Sequence, residues 1–337
     1  MPRRTNPAGY CTSPAGSPIL SPMPQTKTEI QAILAAAGIR PLKRFGQHFL
    51  IDGNLMGKLV AAAGLEPNDV VLEVGPGTAS LTEELVGHCG HVVAVEIDRT
   101  LHRVCRDRVR PADKLTVIHT DVLANKTSVA AEVRETLTAR QREHGGRILL
   151  VANLPYQVAT PLVLDLLVGE PTFTRLCFTV QAEVADRLLS PPGGRDYGPI
   201  SILAQAASTI ERIARVPPTA FWPRPKVDSA MLRVDPLPPA VRPAVCQPAE
   251  ASAIARLGLR QPDEDGAGFR HGLLAGLVHA CFNHRRKTLK WSLRHLLDET
   301  ALAAIEADGE WDLSLRPECL DVSQWLALAE FLVRPAS

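Results

Sequence analysis

Three carboxylates and an amide stand out in this chain, because each stands at or near the end of a short apolar run. Glu73, Gly75 and Gly77 close the run at 70–74 (VVLEV), and Glu96 closes 91–97 (HVVAVEI), 19 residues after Gly77. Asp121 follows 115–119 (LTVIH), and 147–152 (RILLVA) runs into Asn153-Leu154-Pro155-Tyr156. Two closely spaced glycines let the backbone turn tightly and approach a ligand. The third glycine of a dinucleotide fingerprint is missing, since Ser80 stands there, so a pyrophosphate cradle is disfavoured. A carboxylate about 20 residues further on is placed to accept both hydroxyls of a ribose. Glu96 comes straight off its apolar run and is preferred to Asp98. Asp121 can accept from an adenine amino group. The set suits an adenosine without phosphates, and S-adenosylmethionine is the obvious candidate cofactor.

Asn153-Leu154-Pro155-Tyr156 then has a task beside a methyl sulfonium. The exocyclic nitrogen of adenine is a poor nucleophile, because its lone pair is delocalised into the ring. If Asn153 Oδ1 and the Leu154 carbonyl accept its two N–H groups, that lone pair is freed for attack. Pro155 fixes the turn that aims the Leu154 carbonyl inward, and Tyr156 offers a face for a flipped base. No strong base is needed, because the methylated nitrogen becomes acidic, so catalysis is positioning plus electrostatics.

These residues need a scaffold that gathers strand ends. Apolar β-branched runs at 70–74, 91–97, 115–119, 147–152 and 175–180 alternate with helical patterns at 80–88, 99–109, 128–143 and 161–168. That alternation predicts an α/β fold with parallel strands covered on both faces. Two further strands are expected near 208–216 and 228–235 as a terminal hairpin, with 217–226 a loop between them. Residues 27–63 read as two short helices. Ser80 with Glu83 matches a capping box, and Thr160 before Pro161 reads as a helix start that ends at Gly169.

Composition sets outer bounds. The chain has 337 residues and is 45% hydrophobic at a mean hydropathy of +0.01, ample for a core. Lys and Arg total 37 against 36 Asp and Glu, so any basic surface is local. The 7 cysteines are scattered with no Cys-x-x-Cys pair, which reads as reduced thiols in a cytosolic protein and no metal site. No apolar run approaches the ~18 residues of a membrane span. The first 27 residues are Pro-, Ser-, Ala- and Gly-rich and acid-free, and read as a disordered tail.

Residues 236–268 mix prolines and charges and read as a linker or insertion, followed by helices only over 270–334. Within 269–297 stand Arg270, Arg285, Arg286, Lys287, Lys290 and Arg294 without a single acid. The spacing of Arg286, Lys290 and Arg294 predicts one helix face.

The chain resembles the small-subunit ribosomal RNA adenine N6,N6-dimethyltransferases over roughly residues 40–334, apart from the segment near 240–268. The resemblance rests on "KRFGQHFLID" (43–52), "LEVGPGTASLTEEL" (72–85), "VVAVEID" (92–98), "VANLPY" (151–156), "VPPTAFWPRPKVDSAMLRV" (216–234) and "FNHRRKTLKWSL" (282–293). It implies a Rossmann-like class I methyltransferase fold, seven-stranded and mostly parallel, with a small α-helical C-terminal domain. It implies that His48 and Leu50 contact the methionine end of S-adenosylmethionine, and that Gly75, Glu96, Asp121 and Asn153 belong to the same site. Phe178 matches an aromatic that would enclose the target base with Tyr156, completing a catalytic set of Asn153, Leu154, Pro155, Tyr156 and Phe178. The C-terminal domain would contact RNA through Arg285, Arg286, Lys287, Lys290 and Arg294. Two departures are Ala182, where the family usually carries lysine, and Gly77-Thr78-Ala79 in place of Gly-Leu-Gly.

The expected organisation is a tail (1–27), a methyltransferase domain (28–236), a linker (237–268) and a helical RNA-binding domain (269–334). The expected protein is cytoplasmic and monomeric and acts on the assembling small ribosomal subunit. Three competing readings are a large-subunit dimethyltransferase conferring antibiotic resistance, an assembly factor with weak or lost catalysis, and an organellar relative acting also in transcription.

Overall fold

The Val/Leu/Ile runs do form strands buried on both faces, as a computed structural model of the protein shows; it describes residues 25–42, 46–125, 128–246 and 272–333. The N-terminal part runs α1 (Lys27–Ala36), β1 (Phe49–Leu50), α2 (Gly53–Ala63), β2 (Val70–Val74), α3 (Ser80–Leu85), β3 (His91–Val95), α4 (Arg99–Arg108) and β4 (Leu115–Ile118). The middle continues β5 (Leu123–Asn125), β6 (Ser128–Val129), α5 (Ala131–His144), β7 (Ile148–Asn153), α6 (Ala159–Val168), β8 (Arg175–Gln181), α7 (Ala182–Leu189) and α8 (Pro199–Ala207). Strands β9 (Ser208–Val216), β10 (Phe221–Trp222) and β11 (Ser229–Pro236) precede the helices α9 (Gly272–Phe282), α10 (Leu289–Arg294), α11 (Glu299–Asp308) and α12 (Val322–Val333).

One seven-stranded sheet has the order β4-β3-β2-β7-β8-β11-β9. Its first five strands are parallel, and β11 and β9 add the expected antiparallel edge. The chain moves outward from β2 to β4 and then crosses to β7 on the other side of β2. That reversal opens a crevice at the C-terminal ends of β2 and β7, the usual place for a ligand in such sheets.

Residue parity along each strand builds two cores. Leu72, Leu150 and Phe178 face α5, α6 and α8, whereas Val71, Val151 and Cys177 face α2 and α3. A third core joins α9–α12 around the fully buried Trp325 and takes Ile202 and Leu203 from α8. Helix α8 therefore serves two cores at once, since its Ala204 and Ala207 pack on the sheet.

Several local expectations change. The N-cap of α3 is Ala79, without a side-chain bond, so Ser80 and Glu83 make no capping box there. Both bind Gln25 instead: its N–H donates to Ser80 Oγ at 3.0 Å, and its Nε2 to Glu83 Oε2 at 3.0 Å. Gln25 is buried and Thr26 caps α1 with Glu29, so the expected tail includes residues that belong to the fold. Helix α6 starts at Ala159 with Val158 as N-cap, which leaves Thr160 and Pro161 inside its first turn, where a missing N–H costs nothing. Residues 128–129 are strand rather than the start of a helix, and the loop 217–226 contains β10, which pairs with β1. Val245 and Cys246 of the expected linker pack into the helical core. Residues 1–24, 43–45, 247–271 and Arg270 among them lie outside the described residues.

Candidate functional site

The ends of β2, β3, β4 and β7 converge on one cavity. His48, Leu50, Gly75, Glu96, Asp121, Asn153, Leu154, Pro155 and Tyr156 all line it, together with Gln47, Phe49, Met56 and Leu101, which sequence reasoning did not single out. The floor is the turn after β2. Gly77 has φ 58°, and a Cβ there would lie 2.7 Å from the Phe49 ring, so no side chain fits. Ala79 carries φ 70°, a left-handed backbone usually left to glycine.

Three acids face this floor, and no lysine or arginine lines the cavity among the described residues. Glu96 is 4% exposed; its Oε2 accepts from Gly77 N–H at 3.2 Å and its Oε1 from Asp98 N–H at 2.9 Å. Burial pushes its carboxyl up to about 7, against those hydrogen bonds. Asp98 is committed elsewhere, since its Oδ1 caps α4 by accepting from Thr100 N–H and Leu101 N–H. Asp121 is exposed at the rim and accepts from Leu123 N–H at 3.0 Å. Glu73 is 2% exposed, and its Oε2 has no partner. Burial pushes that carboxyl up to about 8, a Thr82 hydrogen bond opposing and the Glu96 charge adding to the rise. Acids without a lysine or arginine among them suit a nucleoside bearing hydroxyls and give a phosphate no cationic partner of that kind.

The amide end is tightly oriented. Asn153 Nδ2 donates to the His48 carbonyl at 2.8 Å, while its Oδ1 accepts from Thr179 Oγ1 at 2.5 Å. A carbonyl oxygen has two lone pairs, so one remains for a further donor. Among the described residues the Leu154 carbonyl accepts no hydrogen bond. His48 Nδ1 donates to the Pro223 carbonyl at 2.6 Å, which fixes the tautomer. The Tyr156 hydroxyl meets Ser229 Oγ at 2.8 Å, and its ring lies 5.8 Å from that of His48. Thr179 was not anticipated, because its role depends on the pairing of Asn153 with Thr179 across β7 and β8.

Phe178 must be corrected. It is fully buried, one residue out of phase with Thr179, and packs on the opposite face with Leu72 and Leu150. It does not line the cavity and cannot enclose a base with Tyr156.

The basic C-terminal segment also differs from expectation. Arg286 lies in the turn between α9 and α10, so it does not continue one helix with Lys290 and Arg294. Thr288 explains the break: its side chain accepts from Trp291 N–H and starts α10 anew. Lys290 Nζ pairs with Glu306 at 2.6 Å, and Arg285 donates to the Arg195 carbonyl at 3.1 and 3.2 Å, tying the helices to the loop before α8. Arg286, Lys287 and Arg294 stay exposed, with Lys287 Nζ 5.6 Å from the Trp291 ring centre. No helix among the described residues is long and apolar enough to cross a membrane, and no cluster of His, Cys, Asp and Glu there could hold a metal ion.

Comparison with known proteins supplies independent information. The sequence model of a family described as ribosomal RNA adenine dimethylase matches residues 40–246. The ribosomal RNA small subunit methyltransferase A of Chromobacterium violaceum is 35% identical over 87% of this chain and 95% of its own length. The protein of the same name from Pediococcus pentosaceus is 34% identical over 89% of this chain and 93% of its own. Among solved structures, a dimethyladenosine transferase from Plasmodium falciparum superposes with a TM-score of 0.61 at 22% identity, covering 83% of this chain and 96% of that one. The 23S rRNA methyltransferase ErmE gives 0.57 at 21%, covering 85% and 100%. At those identities the two structures establish the shared fold.

Proposed function

Because the chain belongs to the family of ribosomal RNA adenine dimethylases, we infer that it transfers methyl groups from S-adenosylmethionine to N6 of adenine in a loop of small-subunit ribosomal RNA, giving N6,N6-dimethyladenosine. The observation that carries this reading is the Asn153 amide, held at both ends and still with one acceptor lone pair, at the edge of a cavity walled by carboxylates. When bound, S-adenosylmethionine supplies an electrophilic methyl on a sulfonium, whose positive charge fits a cavity lined by three acids and by no lysine or arginine among the described residues.

In this reading Glu96 accepts from the ribose hydroxyls and Asp121 from the adenine amino group of the cofactor, while His48 and Leu50 flank its methionine end. Gly75 and Gly77 give the nucleoside a floor without side chains. Asn153 Oδ1 and the Leu154 carbonyl each accept one N–H of the target amine, which turns its lone pair away from the ring. After the first transfer one N–H remains, and a single acceptor suffices to orient the second. Pro155 fixes the carbonyl's direction, and the Tyr156 ring stacks on the flipped base, its hydroxyl tethered to Ser229. The proton leaves from the methylated nitrogen to water.

Residues 28–236 form the methyltransferase unit and 269–334 the RNA-contacting helices, with Arg286, Lys287 and Arg294 as the exposed cations of that surface. The protein acts in the cytoplasm as a monomer on the assembling small subunit. Relatives named for the small subunit, at 34–35% identity, favour that subunit over the large one. Ala182 opens α7 and does not line the cavity.

Transfer of labelled methyl from S-adenosylmethionine to undermodified small subunits, with separation of the nucleosides, tests the reading. N6,N6-dimethyladenosine formed by the native protein and lost in Asn153→Ala is the expected result. No transfer despite tight binding to the subunit would make the chain an assembly factor.

A further inference from the structure

Five arginines fall within residues 99–110 (RTLHRVCRDRVR), against the single acid Asp107. On α4 they are sorted by the helix itself. Leu101, Cys105 and Val109 are buried, whereas Arg99, Arg103 and Arg106 are exposed. At roughly 100° per residue these three lie within about 60° of one another, and span about 10 Å along the axis. Arg106 is paired with its neighbour Asp107 at 2.9 Å, and Arg108 with Glu83 at 3.2 Å. Neither Arg99 nor Arg103 has an ion pair among the described residues. The other acid nearby, Asp98, is spent on the helix N-terminus.

The position of this stripe matters as much as its charge. Helix α4 begins three residues after Glu96, and Leu101 in its first turn lines the cavity, so the arginines run outward from the mouth of the site. Cys105 and Val109 pack on the sheet face that carries α2 and α3. The helical C-terminal unit docks through α8 on the face that carries α5 and α6. The two units that carry exposed cations therefore pack against opposite faces of the sheet.

We propose that the exposed face of α4, through Arg99, Arg103 and Arg106, is a second phosphate-binding surface for the RNA, so that the substrate is gripped on both sides of the methyl-transfer site. The proposal rests on the RNA-methylating reading above. Guanidinium forks match phosphate oxygens two at a time, and a fixed row of them suits a strand that must present one unpaired base. A lipid surface is the poorer fit, because Leu101, Cys105 and Val109 are turned into the core and only Ile97 and the half-buried Val104 stand near the arginines, too few for an apolar face to insert.

The test compares the full chain with an R99Q/R103Q/R106Q variant in binding to undermodified small subunits between about 50 and 200 mM salt. Each phosphate contact contributes about 0.7 to 0.9 to the slope of log affinity against log salt, so the slope should fall by about 2 to 3. Affinity for S-adenosylmethionine should not change, and the corresponding lysine variant should recover most of the slope. An unaltered slope in the glutamine variant overturns the proposal while the methylating reading stands. A native protein that neither binds nor methylates the subunit overturns the reading, and the proposal with it. A loss confined to vesicles of anionic lipid would assign α4 to a membrane and overturn the proposal as well.

Discussion

Replacing Glu73 with glutamine should make the cofactor-free protein more stable, and increasingly so as pH rises. Glu73 is buried with one carboxyl oxygen unpartnered, and burial raises its pKa from an ordinary 4.5 to about 8. At pH 7 the unfolded chain carries this group ionised, whereas the fold holds it largely neutral. Across the interval from 4.5 to 7, at 1.36 kcal/mol per pH unit, the native state gives up about 3 kcal/mol. For an acid raised in the fold, this penalty is absent below about pH 4.5, grows with pH and levels off above about pH 8. Glutamine keeps the shape and has no charge to lose, but buries an extra donor at a cost of about 1 kcal/mol. The net gain is therefore about 2 kcal/mol at pH 7, falling to zero or below near pH 5. Urea unfolding without cofactor at pH 5, 6, 7 and 8 measures it. A difference that stays flat across that range would mean that Glu73 is ionised in the fold, and the reasoning from its missing partner would fail.

Glu96→Ala should weaken S-adenosylmethionine binding by about 1–3 kcal/mol in calorimetry, and native affinity should rise between pH 6 and 8 as Glu96 ionises near 7. Unchanged affinity would place the ribose hydroxyls elsewhere. Thr179→Val removes the donor that orients Asn153 Oδ1, and kcat should fall about tenfold, the equivalent of one hydrogen bond, with cofactor affinity kept; an unaltered kcat would make the contact incidental. Phe178→Leu should cost about 1–2 kcal/mol of stability in denaturant unfolding with methyl transfer preserved. Lost transfer at native stability would return Phe178 to the base site.

The parallel sheet was legible because its strands are continuous β-branched runs, and the acids were legible because each ends one. Parity was not. Phe178 and Thr179 are neighbours in sequence, and only the pairing of β7 with β8 decides which of them faces Asn153. Helix α8 was missed for a related reason: Ile202 and Leu203 face one core and Ala204 and Ala207 another, so the segment has no polar face to reveal a period. Asp98 competed with Glu96 on paper until its capping bonds removed it. The α4 arginines were passed over because acids balance the chain as a whole, and the helix separates them only once its buried side is known.

The contacts around His48 form a closed circuit. Asn153 holds the His48 carbonyl, the His48 ring holds Pro223, and the strand leaving that loop carries Ser229, which meets Tyr156 three residues from Asn153. In the proposed reading, the cofactor side and the base side are thus braced by the same few bonds, together with the two-residue ladder between β1 and β10. Whatever steadies one half spares the other part of its ordering cost. In that reading, thermodynamic reciprocity makes the factor by which S-adenosylmethionine tightens the grip on the RNA equal to the factor by which the RNA tightens the grip on S-adenosylmethionine. An enzyme braced in this way releases its spent cofactor more readily once the methylated base has left.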